Sequence, residues 1–149
     1  MTPTEPRPRS LTIAFWLLVV GAVMLMAGGL LAITLGYDLL RQALPASYSD
    51  DAVRQLLLFR RGAGVLCVIT GLALAFLAGR TRNGDVRYRR ATLGLGLATI
   101  VLVGIMQVAV NIGLIALLSL LPIIVGTLLL SRPPVAKWFT PEPDTNSDG

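Results

Sequence analysis

The forty residues from Ala91 to Leu130 contain no charged side chain. As one helix they would run about 60 Å, twice the roughly 30 Å hydrocarbon thickness of a bilayer. A stretch this apolar needs a membrane around it, and it must fold back on itself to fit. The only polar point near its middle is QVAVNIG, Gln107 to Gly113, where Asn111 and Gly113 tolerate turn conformations. The pattern predicts a helix over 91–109, a tight turn at 110–112 and a helix over 113–131. Pro122 has no N–H to give, so it is expected to kink the last helix or free a carbonyl one turn earlier.

Two more spans precede this pair. Leu11 to Gly36 is 26 residues without a charge. That is far longer than the roughly 7–15 residue apolar core of a cleaved signal peptide, so it reads as an uncleaved helix over 11–36. Trp16 and Tyr37 near its ends suit interfacial positions. Gly62 to Gly79 adds 18 uncharged residues, at the short end of what spans a bilayer, and the helix is drawn over 62–80. Between these spans, 37–61 forms the longest connection. Ser49-Asp50-Asp51 in it has the chemistry of a helix start, with acids at the positive end of the dipole. Asp50 and Arg54 are spaced to pair along that helix. The fold class is therefore all-α, an integral membrane protein of four transmembrane helices in two antiparallel hairpins.

Charge supports this reading. Only 14% of the chain is charged, against about a quarter in soluble domains. The charges fall into blocks between the apolar runs. The densest is Arg80 to Arg90, five arginines around an Asn-Gly turn signal, drawn as a loop over 81–90. The net charge of +5 would raise nucleic acid as a partner for a soluble protein. Here the basic residues flank spans, topology accounts for them, and no nucleic acid is expected.

Four spans bring both termini and the arginine-rich turn to one side. That side holds Arg7, Arg9, Arg80, Arg82, Arg87, Arg89, Arg90, Arg132 and Lys137, while the other holds Arg41, Arg54, Arg60 and Arg61. The positive-inside rule then puts the N-terminal tail (1–10) and the C-terminal tail (132–149) in the cytoplasm of a multi-pass plasma-membrane protein. The first tail is rich in proline and the second is acidic after residue 140, and both are expected to lack fixed structure. Arg132, Lys137, Trp138 and Phe139 form a basic-aromatic segment suited to headgroups. Anionic headgroups are the expected lipid partner, with Arg80, Arg82, Arg87, Arg89, Arg90, Arg132 and Lys137 as candidate contacts.

Three stretches, taken together, resemble small actinobacterial integral membrane proteins. They are Arg7-Pro8-Arg9-Ser10 before Ala14-Phe15-Trp16-Leu17, the 80–91 turn before the third helix, and Leu130 to Phe139 after the fourth. The resemblance implies a four-helix protein of the plasma membrane in a high-GC Gram-positive bacterium. It carries over no functional residues.

Chemistry-bearing residues are scarce. There is no histidine, and the single cysteine, Cys67, lies inside an apolar run where it reads as a small buried residue. The apolar runs 11–36, 62–79 and 91–130 contain no Asp, Glu, Lys, Arg or His, which argues against proton-coupled transport. Neither a HExxH motif nor a phosphate-cradling glycine loop before a lysine occurs. Asp50-Asp51 reads as a helix start rather than a metal site. No catalytic, cofactor-binding or metal residue is assigned, and no enzyme is expected.

Two features remain. Ala63, Cys67, Gly71, Ala75 and Gly79 recur every four residues, which reads as a small-residue stripe for helix packing. Gln107 and Asn111 sit four apart near the predicted turn and are candidates for a polar pocket. The leading expectation is a non-enzymatic accessory or scaffold subunit that packs through the stripe against itself or another membrane protein. The alternative is a passive or lipid-handling carrier or pore without proton coupling, with Gln107 and Asn111 near its mouth.

Overall fold

A computed structural model of the chain describes residues 6–110 and 114–139, all in helices or short connections. Among the described residues seven helices run in order: α1 (Arg9–Thr34), α2 (Tyr37–Ala43), α3 (Asp50–Thr81), α4 (Val86–Val110), α5 (Leu114–Leu118), α6 (Leu120–Ser131) and α7 (Pro133–Phe139). Four helical stretches are long and apolar enough to cross a membrane: α1, α3, α4 and the α5–α6 pair. The predicted turn at 110–112 and the tail after 140 fall largely outside the described residues, as do residues 1–5.

The four spans form a closed ring in which α1 packs on α3 and on α5–α6, and α4 packs on α3 and α6. Small residues set how closely α1 meets its neighbours. A Cβ built on Gly29 would stand 2.6 Å from the carbonyl oxygen of Gly64, and one on Gly64 the same distance from that of Gly29. Only paired glycines let these two backbones cross so near, which is the packing that apolar surroundings reward. The core between the spans is filled by Leu18, Leu25, Leu74, Val103 and Ile123, each at 0–1% exposure.

The last span is interrupted at Ser119, between α5 and α6. Pro122 lies three residues on, so the carbonyl of Leu118 has no helical N–H to meet. Ser119 turns its hydroxyl back onto the Ala116 carbonyl at 2.6 Å. The proline effect expected from the sequence thus appears as a break one turn upstream.

The helix start at Ser49-Asp50-Asp51 runs on without a break into the second span as α3. Its 32 residues extend about 48 Å, well beyond the hydrocarbon. Ser49 caps it by accepting from the Ala52 N–H at 3.3 Å. Its first turns pack with α2 in a separate cluster of Leu40, Val53 and Leu57. Asp50 does not look along its own helix to Arg54. The Tyr37 hydroxyl donates to it at 3.0 Å, and Arg41 lies 3.7 Å away. Arg41 in turn donates to the Tyr48 carbonyl at 3.0 Å, so α2 is pinned over the start of α3.

Candidate functional site

The basic end is more helical than its sequence suggests. The predicted 81–90 loop is only the connection between Thr81 and Val86. Arg80 belongs to the last turn of α3, and Arg87, Arg89 and Arg90 ride on the first turns of α4. Gly84 supplies the left-handed residue of the turn at φ 82°, and Asp85 accepts from the Arg87 N–H at 2.9 Å to start α4. Behind the turn the buried hydroxyls of Thr81 and Thr92 meet at 2.9 Å. Each also lies 2.8 Å from a carbonyl of its own helix, so one donates to backbone while the other donates across the pair.

Three of the seven candidate lipid contacts touch other groups of the chain, Arg89 half-buried and Arg80 and Arg82 still exposed. Arg89 donates through Nε and Nη2 to the Leu130 carbonyl at 3.1 and 3.0 Å, and its guanidinium lies 5.8 Å from the Phe139 ring centre. Arg82 lies over Phe15 at 4.7 Å, and Arg80 near Phe76 and Tyr88 at 5.6 and 6.0 Å. Arg87, Arg90, Arg132 and Lys137 are exposed. With Arg7 and Arg9, also exposed, they ring the end of the bundle. Asp85 is the only acid of the described residues at that end. The segment after α6 is also corrected. It forms α7 and folds back, burying Val135 and Phe139 in the main core instead of laying its aromatics outward.

The small-residue stripe divides. Cys67 and Gly71 are buried against α1, Ala63 is buried on the side toward α4, Ala75 is half-buried and Gly79 faces open space. A period of four does not follow a helix of 3.6 residues per turn. Each step of four advances about 40°, so Gly79 lies some 160° round from Ala63. From Gly64 on the buried face runs instead at alternating steps of three and four, Gly64, Cys67, Gly71, Leu74, Ala78 and Thr81, with Leu57 two turns before it. Its partner is α1 of the same chain, through Gly29, Ala22 and Met26. The stripe is an internal seam.

Arg60 falls on that face, between Leu57 and Gly64. By sequence it stands at the outer end of a span, in the place of a snorkelling residue. The correct period shows it turned toward α1. There it lines a groove of about 380 Å³ between α1 and α5, with Gly28, Leu31, Leu35, Leu114 and Ile115.

A second groove, about 750 Å³, opens between α3 and α4 at the same end. Leu58, Phe59, Leu66 and Met106 form its walls, and Gly62, Ala63 and Ala109 are its small residues. Gln107 lines neither of these grooves and is half-buried on α4. Asn111, its proposed companion, lies outside the described residues.

The interior between the spans is dry in character. The buried polar residues among those described are Thr81, Thr92, Thr99, Ser119 and Thr127; the last three bond back to carbonyls three or four residues earlier, and Thr81 and Thr92 share the arrangement given above. Among the described residues no three His, Cys, Asp or Glu side chains gather to hold a metal. No protein family, curated protein or solved structure matches the chain.

Proposed function

We propose that the chain is a non-enzymatic accessory or scaffold subunit of the plasma membrane, and that it receives a transmembrane helix of a second copy or of another envelope protein in the α3/α4 groove. The observation that carries this reading is the groove itself. Apolar exposure alone marks nothing in a bilayer, because every lipid-facing helix has it. A concave seam about 750 Å³ in volume with glycine and alanine among its lining is different, since small residues are what let a further helix approach. α4 buries 22% of its span inside the protein, against 33–39% for the other three, so it has the most surface left to share. Gly94 and Ala98 continue its open small-residue side, and a Cβ on Gly94 would meet nothing within 4 Å.

Orientation follows from charge. Nine basic residues gather at the end that holds the α1 start and the α6 end, against four at the other, which supports cytoplasmic termini. The setting implied by the sequence resemblance is the plasma membrane of a high-GC Gram-positive bacterium. The carrier reading is less well supported, because it needs a polar path and the interhelical core described above is apolar.

Gly62→Leu tests the proposal. No atom lies within 4 Å of a Cβ at Gly62, so the chain itself tolerates the change. Native mass spectrometry in mild detergent should show the wild type with a second copy or a co-purifying protein, and the variant without it. A wild type that stays alone at every concentration and brings down no partner refutes the reading.

A further inference from the structure

The geometry points to a binding site for one anionic phospholipid in the α1/α5 groove, with the phosphate held by Arg60 and an acyl chain lying along Leu31, Leu35, Leu114 and Ile115. It lies at the end of the bundle opposite the basic ring, and it does not depend on what occupies the α3/α4 groove.

Four observations converge on it. Arg60 stands on α3 between Leu57 and Gly64, is half-buried, and lines the groove. An ionisable residue that lines a cleft of a membrane bundle, rather than open water, points to a site. Its depth is right for a headgroup, because twenty residues of helix, about 30 Å, separate it from Arg80 at the far boundary. The groove it lines, about 380 Å³, is mostly apolar, with Thr34 its other polar residue and Gly28, Ala32 and Ala116 its small residues. Finally, Leu31, Leu114 and Ile115 are 40–69% exposed, so the groove opens sideways toward lipid.

These features select the ligand. A guanidinium presents five N–H donors in a planar fork that matches phosphate oxygens two at a time. Free phosphate would have to cross apolar side chains to reach it, whereas a phospholipid arrives from the bilayer with its chain already on the groove's side. Charge complementarity sets the head, and the leucine-lined wall sets the tail.

The test uses the full-length protein in mild detergent. Dioleoylphosphatidylglycerol is titrated and bound lipid is counted by native mass spectrometry, with dioleoylglycerol and inorganic phosphate as separate arms. One phosphatidylglycerol should be retained per chain, dioleoylglycerol should bind at least tenfold more weakly, and millimolar phosphate should not displace the lipid. Arg60→Gln should weaken retention about tenfold or more, Arg60→Lys less so, and Arg61→Gln, whose side chain is exposed and does not line the groove, should leave it unchanged. A photoactivatable phosphatidylglycerol with its reactive group on the acyl chain should label residues 28–39 and 114–116. Equal loss in Arg60→Gln and Arg61→Gln would reduce the effect to surface charge and overturn the site. So would displacement by inorganic phosphate, or labelling confined to other segments. Circular dichroism of each variant separates lost binding from lost fold, and an Arg60→Gln chain that keeps its helices and its lipid refutes the proposal outright.

Discussion

Arg89 holds Leu130. Forty-one residues apart in sequence, they are joined by two hydrogen bonds from one guanidinium to one carbonyl, at 3.1 and 3.0 Å. The acceptor belongs to the last turn of α6, where helix carbonyls have no N–H of their own, and the positive charge suits the negative end of the helix dipole. The donor belongs to the second turn of α4. The two ends of the second hairpin are therefore fastened to each other at the basic end, with Phe139 of α7 beside the same guanidinium.

Replacing Arg89 should cost stability, and its neighbour should not. Arg89→Ala removes two charge-assisted bonds and leaves a carbonyl in a partly buried place, a loss of about 2 kcal/mol. Arg89→Lys should recover part of it, because an ammonium keeps the charge without the fork. Arg87→Ala, on an exposed position, should change stability by less than about 0.5 kcal/mol. Unfolding curves of the three variants in detergent check the ordering.

Glycines of the α1/α3 seam and the open glycine of α4 should answer oppositely to alanine. At Gly29 the new methyl would sit 2.6 Å from the Gly64 oxygen, so the helices must part, at a cost of about 1–3 kcal/mol. At Gly94 it meets nothing, and the better helix propensity of alanine makes the change neutral or stabilising by up to about 1 kcal/mol. Thermal midpoints in one detergent decide this. Gly71→Leu belongs with the seam glycines. With Met26 Cγ at 2.7 Å and the Ala22 oxygen at 3.0 Å from a Cβ there, that change attacks the chain's own fold before any assembly.

The Tyr37 phenol is held above its ordinary value, first by partial burial and then by the hydrogen bond to Asp50 and that residue's negative charge. A group whose folded-state pKa is raised adds stability that is fully present below the unfolded value, about 10 for tyrosine, and loses it as pH rises through the raised value. Spectroscopic titration of phenolate should therefore show one of the three tyrosines ionising late. Tyr37→Phe should remove that late component, and Asp50→Asn should move it back toward the ordinary range.

Topology can be read with reporters. A fusion after Gly149 to an enzyme active only outside the cytoplasm should stay silent, and a fusion in the 44–49 connection should be active. The reverse pattern would invert the orientation and move the Arg60 groove to the inner leaflet.

The spans are legible in the sequence because charge is expensive in hydrocarbon and each apolar run is bounded by it. Ser49 as a cap is legible from local chemistry, and Pro122 from its missing N–H. Other features depend on what lies across the helix. A small residue at position 71 says that something comes close, and only the fold says that it is Ala22 and Met26. The stripe misleads because a period of four looks helical over two turns and drifts off the face over five. The same drift hides Arg60, which the period of alternating threes and fours turns inward. Arginines that read as lipid contacts are partly engaged with Phe15, Phe76 and Leu130, contacts that arise only once the helices have packed. α7 is hidden by its two prolines, which end α6 yet occupy the first positions of the next helix, where no N–H is needed.

The central place of α1 bears on how the molecule is made. Of the four spans, the earliest in the chain is also the one against which α3 and then α5–α6 are fitted, while α4 leans on α3 and α6. Its glycines meet α3 on one side and the last span on the other, so the site each later helix needs is already in the bilayer when that helix arrives. A chain interrupted after the first hairpin would still have its Gly29–Gly64 crossing, and would wait with Gly21 and Gly28 uncovered for the two helices still to be synthesised.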